Sequence, residues 1–358
     1  MTLDEEISSA RMKVHTDAYT MSIGELVNLY EDGELEIQPN FQRVYRWNEY
    51  QKSRLIESIF LGIPLPSIFV AQRKDGVWDV VDGLQRLSTI FLFMGKLRGE
   101  NDKFLILEKT KYLPNLAKKT WNDIGINLQR YFKREKIDIK IIKKESETDT
   151  KLELFQRLNT GGSQLSDQEV RNCILLMINQ EAFNFIKELA ANKDFQETLP
   201  ISDKKEAEAF LEELVIRYFS QRYADDTLRR DNLDIRDYLD AQVIHLFSPE
   251  NQFPYLSEKK IFNETFSLLN KILGEDSFRK YHEKDGRYKG AVSVPIFECM
   301  ALAVSKTIEN NQSLEEDKIK KASENLPELP EFKNAVTSNM RPIDRMGVME
   351  KIALEIFK

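Results

Sequence analysis

The pattern of hydrophobic and polar positions changes near residue 150. Before it, short apolar or alternating runs predict strands, and runs with helical spacing between them predict helices. The predicted strands cover 34–39, 65–72, 76–81 and 136–144, and the predicted helices cover 22–30, 48–61 and a segment from 85 onward. Two of these helices open on capping-box residues, Ser22 with Glu25 and Asn48 with Gln51, which supports their predicted starts.

After residue 150 the spacing is almost entirely helical. The predicted helices cover 166–177, 207–223, 261–273, 291–308, 313–323 and 348–357. The sequence therefore predicts an α+β protein with a small mixed β-sheet in an N-terminal domain, 1–150, followed by a mainly helical C-terminal domain, 151–358. A chain of 358 residues is long enough for two such domains.

Charge is distributed unevenly along the chain. The formal net charge is −7, which argues against a surface that coats nucleic acid without specificity. Residues 103–144, however, contain twelve Lys and Arg against four Asp and Glu, a local charge of +8. This segment is either a solvated lysine-rich surface or a track for DNA, and the sequence leaves both interpretations open.

Several classes of protein are excluded by composition. The first residues are acidic and contain no apolar segment typical of a signal peptide, and no apolar run is long enough to span a membrane. Cys173 and Cys299 lie far apart in apolar surroundings, which predicts buried free thiols in a reducing, cytoplasmic compartment. The three histidines, His15, His245 and His282, show no metal-ligand spacing.

The segment WDVVDGLQRLSTIFLF (78–93) is the most informative stretch for chemistry. A valine-rich strand stops at Asp82-Gly83, and a helix begins after it. The first turn of a helix carries unpaired N–H groups and a partial positive charge, so this corner suits an anion. Arg86 would lie in that turn, with a planar fork that matches phosphate. The alternative is a plain strand–turn–helix corner with one surface arginine.

Three other polar clusters interrupt the pattern. The first spans 39–47, where arginines alternate with aromatic residues that either stack on bases or plug the core. The second spans 155–162 and ends in two glycines, which suit a helix C-cap or a nest of N–H groups for an anion. The third comprises Glu169, Arg171 and Asn172, which we interpret as an exposed helix face.

Together these segments resemble the GmrSD-type proteins of prokaryotic restriction and phage defence, also called domain of unknown function 262. The segments are IQPNFQRVYRW, SRLIESIFLGIPLPSIFV, VVDGLQRLSTI and LFQRLNTGGSQLSDQEVRN, in the order and spacing of the family. The family hallmark, Asp-Gly-Gln-Gln-Arg, falls on residues 82–86. Leu84 departs from it, since it replaces a glutamine, and we expect this side chain to face the core.

The resemblance implies an N-terminal domain similar to the ParB/sulfiredoxin fold that binds a nucleoside triphosphate, with Mg²⁺ as an optional companion, and hydrolyses it. Asp82 would position Arg86 or the Mg²⁺, Gln85 would orient water or a phosphate oxygen, and Arg86 would contact phosphate as the third catalytic residue. The remaining nucleotide-binding candidates are Gln42, Arg43, Gly83, Arg157 and Asn159. No set of protein ligands for a resident metal is predicted.

The resemblance also implies action on foreign or modified DNA. Many relatives carry a histidine–metal nuclease module, and this sequence shows no such motif, so we expect a partner nuclease or other defence protein. DNA is a second candidate partner, a membrane is not expected, and a homo-oligomer is left open. Three alternatives stand beside hydrolysis: a nucleotide switch without turnover, a reader of modified DNA, and a nuclease that uses carboxylates near Asp82.

Overall fold

The computed structural model describes residues 16–37, 47–73, 75–99, 103–143, 166–202, 209–229, 234–337 and 339–357. The chain divides into two compact units, Met1–Gln164 and Leu165–Lys358, called unit 1 and unit 2. The domain boundary predicted near residue 150 lies outside the described residues, as do most of the cluster at 39–47 and the whole of that at 155–162.

The described residues of unit 1 form five strands and four α-helices. In chain order these are β1 (Thr16–Ser22), α1 (Ile23–Glu31), β2 (Leu35–Glu36), α2 (Glu49–Phe60), β3 (Ile68–Gln72), β4 (Trp78–Asp82), α3 (Leu84–Phe93), α4 (Ile126–Arg134) and β5 (Lys136–Ile142). Both predicted helix caps are present, because the Ser22 side chain accepts from the N–H of Glu25 and Asn48 forms a reciprocal capping box with Gln51. Strand β1 and helix α4 were not predicted.

The five strands form one mixed sheet in the order β1-β5-β3-β4-β2. Strand β5 pairs antiparallel with β1 and parallel with β3, and β4 pairs antiparallel with β3 and parallel with β2. Along β5, the predicted alternation is observed: Ile137, Ile139 and Ile141 are buried, whereas Lys136 and Lys140 are exposed. The buried row joins the unit 1 core, which also takes apolar side chains from α1, α2, α3 and α4.

Unit 2 is built almost entirely of helices. They are α5 (Asp167–Ile178), α6 (Gln180–Ala190), α7 (Lys193–Glu197), α8 (Phe210–Arg222), α9 (Asp226–Arg229), α10 (Ile235–Phe247), α11 (Tyr255–Leu273), α12 (Val294–Glu309), α13 (Glu316–Asn325), α14 (Pro330–Thr337) and α15 (Pro342–Ala353). A two-stranded hairpin, β6 (Lys280–His282) with β7 (Arg287–Lys289), is the one sheet among its described residues. The predicted α+β class is confirmed.

The interpretation of Arg171 and Asn172 as an exposed helix face is wrong. Both side chains are buried in unit 2, with Arg171 only 2% exposed. The Arg171 guanidinium donates to Asp240 at 2.7 Å and to the Oε1 of Gln168 at 2.9 Å. From the sequence alone, a run of polar residues on a helix predicts a solvent-exposed face. The fold instead buries Arg171, because Asp240 of α10 pairs with it inside unit 2.

Burial is described for one of the two cysteines predicted to be buried, and the described helices can be compared with the length of a membrane span. Cys299 is a buried free thiol, as predicted, and its burial raises the pKa of the thiol. No described helix is both long enough and apolar enough to cross a membrane.

Candidate functional site

The candidate site is the corner where β4 ends and α3 begins. Strand β4 ends at Asp82, and Gly83 turns the chain with a left-handed backbone, φ 96° and ψ 11°. Helix α3 starts at Leu84, and its N-cap residue, Gly83, supplies no side-chain hydrogen bond. The N–H groups of the first turn therefore receive no acceptor from the N-cap side chain, which is where an external anion binds in other helices.

Gly83 is required at this corner for two independent reasons. Its positive φ is a conformation that side chains rarely adopt. In addition, a Cβ built at this position would overlap the Cδ1 of Ile68 and lie 3.2 Å from a terminal nitrogen of Arg86. The sequence predicts the sharp turn, and the structure adds that the backbone packs directly against β3.

The Arg86 guanidinium is turned inward and is only 12% exposed. It donates to the carbonyl of Pro66, to the carbonyl of Ser67 at 3.2 Å and to Asp82 Oδ2 at 3.0 Å. Burial lowers the pKa of Arg86, although the nearby Asp82 carboxylate opposes that effect. Arg86 therefore clamps the segment before β3 to the corner, and the side chain is not a surface arginine.

Asp82 and Gln85 stay close to this clamp. The Asp82 side chain is 38% exposed, so its carboxylate faces both Arg86 and solvent. Gln85 is half-buried in the first turn of α3, and its carbonyl accepts a hydrogen bond from the hydroxyl of Thr89 at 2.6 Å. Leu84 packs against the unit 1 core, as expected for the residue that replaces the family's glutamine.

The pairing of β3 with β4 is irregular beside the corner. Phe69 lies opposite Asp82 and Val70 lies opposite Val80, so the register shifts between these two pairs. A bulge of this kind re-aims the side chains next to it and is common near active sites. No sequence pattern in this region predicts the bulge.

A second ion pair, between Arg73 just after β3 and Asp79 on β4, was not predicted from the sequence either. The Arg73 guanidinium donates to Asp79 from Nε at 2.6 Å and from a terminal nitrogen at 2.5 Å. Asp79 is only 2% exposed, and burial raises the pKa of its carboxyl although Arg73 opposes the shift. Because both residues lie on the hairpin that leads into the corner, this pair fixes β4 rather than supplying an open site.

The other predicted site residues cannot be placed at the corner. Gln42, Arg43, Arg157 and Asn159 lie outside the described residues. Trp47, at the end of the cluster at 39–47, packs against the unit 1 core. Within the part of the chain that the structure describes, no group of three or more His, Cys, Asp or Glu side chains is arranged to hold a metal ion.

The basic segment of unit 1 is exposed. Arg130, Lys133 and Arg134 lie on α4, and Lys136 and Lys140 lie on β5, all with exposed side chains. Among described residues, none of the five forms an ion pair, whereas many lysines of unit 2 do, such as Lys187 with Glu212 and Lys271 with Glu316.

Comparison with known protein families finds one similarity, which covers most of unit 1. Residues 23–176 match the model of the GmrSD restriction endonuclease, N-terminal domain. This stretch, somewhat less than half of the chain, is similar to that domain. No curated protein and no solved structure matches the chain.

The candidate corner lies inside the range that is similar to the GmrSD N-terminal domain. The range begins at the first residue of α1 and ends within α5, so it includes the whole corner and continues past the end of unit 1. The family's description is that of a restriction endonuclease, a class of enzyme that acts on DNA, and it supports the resemblance drawn from the sequence.

Proposed function

We propose that the GmrSD domain binds the phosphates of a nucleoside triphosphate at the start of α3. The observation that supports this most directly is the uncapped first turn after Gly83, because amide N–H groups and the helix dipole both favour an anion there. The bulge beside the corner and the charge of Arg86 add to the case.

Arg86 serves this site in two ways. Its hydrogen bonds to Pro66 and Ser67 hold the segment before β3 beside the first turn of α3. An arginine remains protonated even when burial lowers its pKa, so the positive charge persists next to the proposed anion. We assign Arg86 a positioning and electrostatic role, with Asp82 as the residue that orients it or holds a Mg²⁺ that accompanies the nucleotide.

The proposal extends to hydrolysis in a restriction or anti-phage system that acts on foreign or modified DNA. Gln85 would orient the attacking water, and Gln42, Arg43, Arg157 and Asn159 would complete the nucleotide site. Cleavage of DNA would come from a partner nuclease. The ParB/sulfiredoxin-like type of the sheet stays a prediction.

A binding screen followed by a turnover assay tests this function. The full chain is scanned for thermal unfolding with ATP, GTP, CTP and UTP, each with Mg²⁺, and then assayed for phosphate release. A nucleotide at about 100 times its Kd stabilises the native state by about 2.7 kcal/mol, which raises the Tm. Saturable binding without phosphate release would support the nucleotide switch, and no shift with any nucleotide would contradict the proposal.

DNA binding by the same domain is a second candidate function. It is favoured by the five exposed cations of α4 and β5 that form no ion pair among described residues. Unpaired lysines and arginines release counterions when they contact backbone phosphates, so DNA affinity would fall steeply as salt rises. Fluorescence anisotropy with a labelled duplex at several salt concentrations measures that slope.

A further inference from the structure

A groove in unit 2 lies between α13 and α15 and has a volume of about 640 Å³. Helix α13 lines it with Lys318, Lys321, Ala322 and Asn325. These residues follow the i, i+3, i+4, i+7 spacing of one helical face, so two turns of α13 border the groove.

Helix α15 lines the opposite wall with the same spacing. Its contribution is Val348, Lys351 and Ile352, and Glu355 continues the wall just after the helix ends. Val348 is half-buried and Ile352 is 9% exposed, so apolar surface remains open toward the groove. Two facing stripes with this periodicity form the kind of seam into which a third helix packs.

The floor of the groove is apolar. Leu326, at the C-terminal end of α13, is fully buried, and Leu329 is half-buried between α13 and α14. Ile356, just after α15, is half-buried at the end of the groove. A stretch of two helical turns is about 10 Å long, so the groove accommodates the apolar face of a short helix.

The charges at the rim differ between the two walls. On the α13 side, Lys318 and Lys321 are both exposed, and neither forms an ion pair among described residues. The Lys318 ammonium donates to the carbonyl of Phe357. Around the rest of the groove, Lys351 of α15 is accompanied by Glu355, just after that helix, and by Glu331 of α14, so the charge there is mixed.

We propose that this groove docks an amphipathic helix of a partner protein, with acidic residues on the flank that faces α13. The apolar stripe of that helix would fill the space between Ala322 and Val348, and its carboxylates would meet Lys318 and Lys321. Complementary charge of this kind sets the orientation of a docked helix. The proposal does not rest on the nucleotide site, because every residue that carries it belongs to unit 2.

Two synthetic peptides of about 14 residues test the proposal on the full chain. Both carry leucines at i, i+3, i+4 and i+7, and they differ only in one flank, which bears glutamates in the first peptide and lysines in the second. Fluorescence anisotropy should show saturable binding of the glutamate peptide, at least about tenfold tighter than the lysine peptide. No saturable binding, or equal affinity for both peptides, would overturn the proposal.

Charge exchange provides a matched variant. Lys318→Glu with Lys321→Glu should weaken the glutamate peptide by at least about tenfold and strengthen the lysine peptide. The control, Lys320→Glu with Lys284→Glu, changes the net charge equally at exposed positions outside the groove and should leave both affinities unchanged. Light scattering that shows a dimer lost on the charge exchange would also overturn the proposal, because the occupant would then be a second copy of this chain.

Discussion

Gly83 and Ile68 approach so closely that no side chain fits between them. A Cβ built on Gly83 would overlap the Cδ1 of Ile68, the first residue of β3. The corner that joins β4 to α3 is therefore packed against the neighbouring strand, and the path of the backbone at the candidate site is fixed by that contact.

Gly83→Ala should destabilise the protein by about 1 to 3 kcal/mol more than Gly76→Ala. The control is matched, because Gly76 has nearly the same backbone, φ 95°, but no atom within 4 Å of a built Cβ. Chemical denaturation measures both. Ile68→Val removes the Cδ1, so combining it with Gly83→Ala should recover part of the lost stability. Equal destabilisation by Gly83→Ala and Gly76→Ala would show that the close approach is absent.

Arg86→Ala should destabilise the protein by about 1 to 3 kcal/mol, because the carbonyls of Pro66 and Ser67 would lose their buried donor. Arg86→Lys should recover only part of this loss, since a single ammonium lacks the planar fork. Arg54→Ala, an exposed arginine on α2, is the control and should change stability little. Unchanged stability of Arg86→Ala would mean that the guanidinium is not a clamp and is available to an anion.

Much of unit 1 could be predicted because local chemistry and burial agree there. Ser22, Asn48 and Gln51 cap the helices that they were predicted to cap. The alternation of charged and apolar residues along β5 matches its exposed and buried faces. Helix α4 was missed because its pattern is inverted: Phe132 is its buried residue, whereas Ile126 and Leu128 are exposed. The spacing of the apolar residues in α4 therefore does not indicate which face of the helix is buried.

The candidate site was predicted only in part, for a different physical reason. The sequence marks the corner, because Asp-Gly followed by helical spacing is a local signal. It cannot show that Arg86 donates to carbonyls about 20 positions earlier, since backbone acceptors have no signature in the sequence. The same limit explains Arg171, whose acidic partner Asp240 lies 69 positions away.

The buried pair Arg222 and Glu258 in unit 2 should respond asymmetrically to substitution. Arg222 donates to both carboxylate oxygens of Glu258 at 2.8 Å, with both side chains at most 3% exposed. Arg222→Met alone should cost about 3 to 5 kcal/mol, because it leaves the buried Glu258 carboxylate without its arginine. Glu258→Leu alone should cost less, because Arg222 still pairs with Glu309 at 3.1 Å. Arg222→Met with Glu258→Leu should cost much less than the sum of the single changes.

The control for that pair is the exposed Lys271 and Glu316, whose side chains are 69% and 60% exposed. Breaking it should change stability by less than about 1 kcal/mol. Chemical denaturation of all variants gives the comparison. Additive effects in the double variant of Arg222 and Glu258 would contradict the account of unit 2.

The Glu57 carboxylate should make unit 1 sensitive to acid. Burial raises the pKa of Glu57, but hydrogen bonds from the N–H groups of Tyr112 and Leu113, both at 2.7 Å, help to lower it overall below 4.5. A carboxyl with a lowered pKa contributes its stability fully above pH 4.5 and loses it as the pH falls through its folded pKa. Glu57→Gln should therefore show a weaker loss of Tm below that pH, and an unchanged pH profile would contradict this.

The most direct test of the nucleotide site is to place a negative charge in the first turn of α3. Gln85→Glu is nearly isosteric and favours the helix dipole, so stability should be retained while phosphate binding is repelled. Gln51→Glu adds the same charge at the first turn of α2, within the same unit, and is the control. The account predicts that Gln85→Glu lowers nucleotide affinity at least about tenfold while Gln51→Glu leaves it unchanged; equal affinities in the two variants would contradict it.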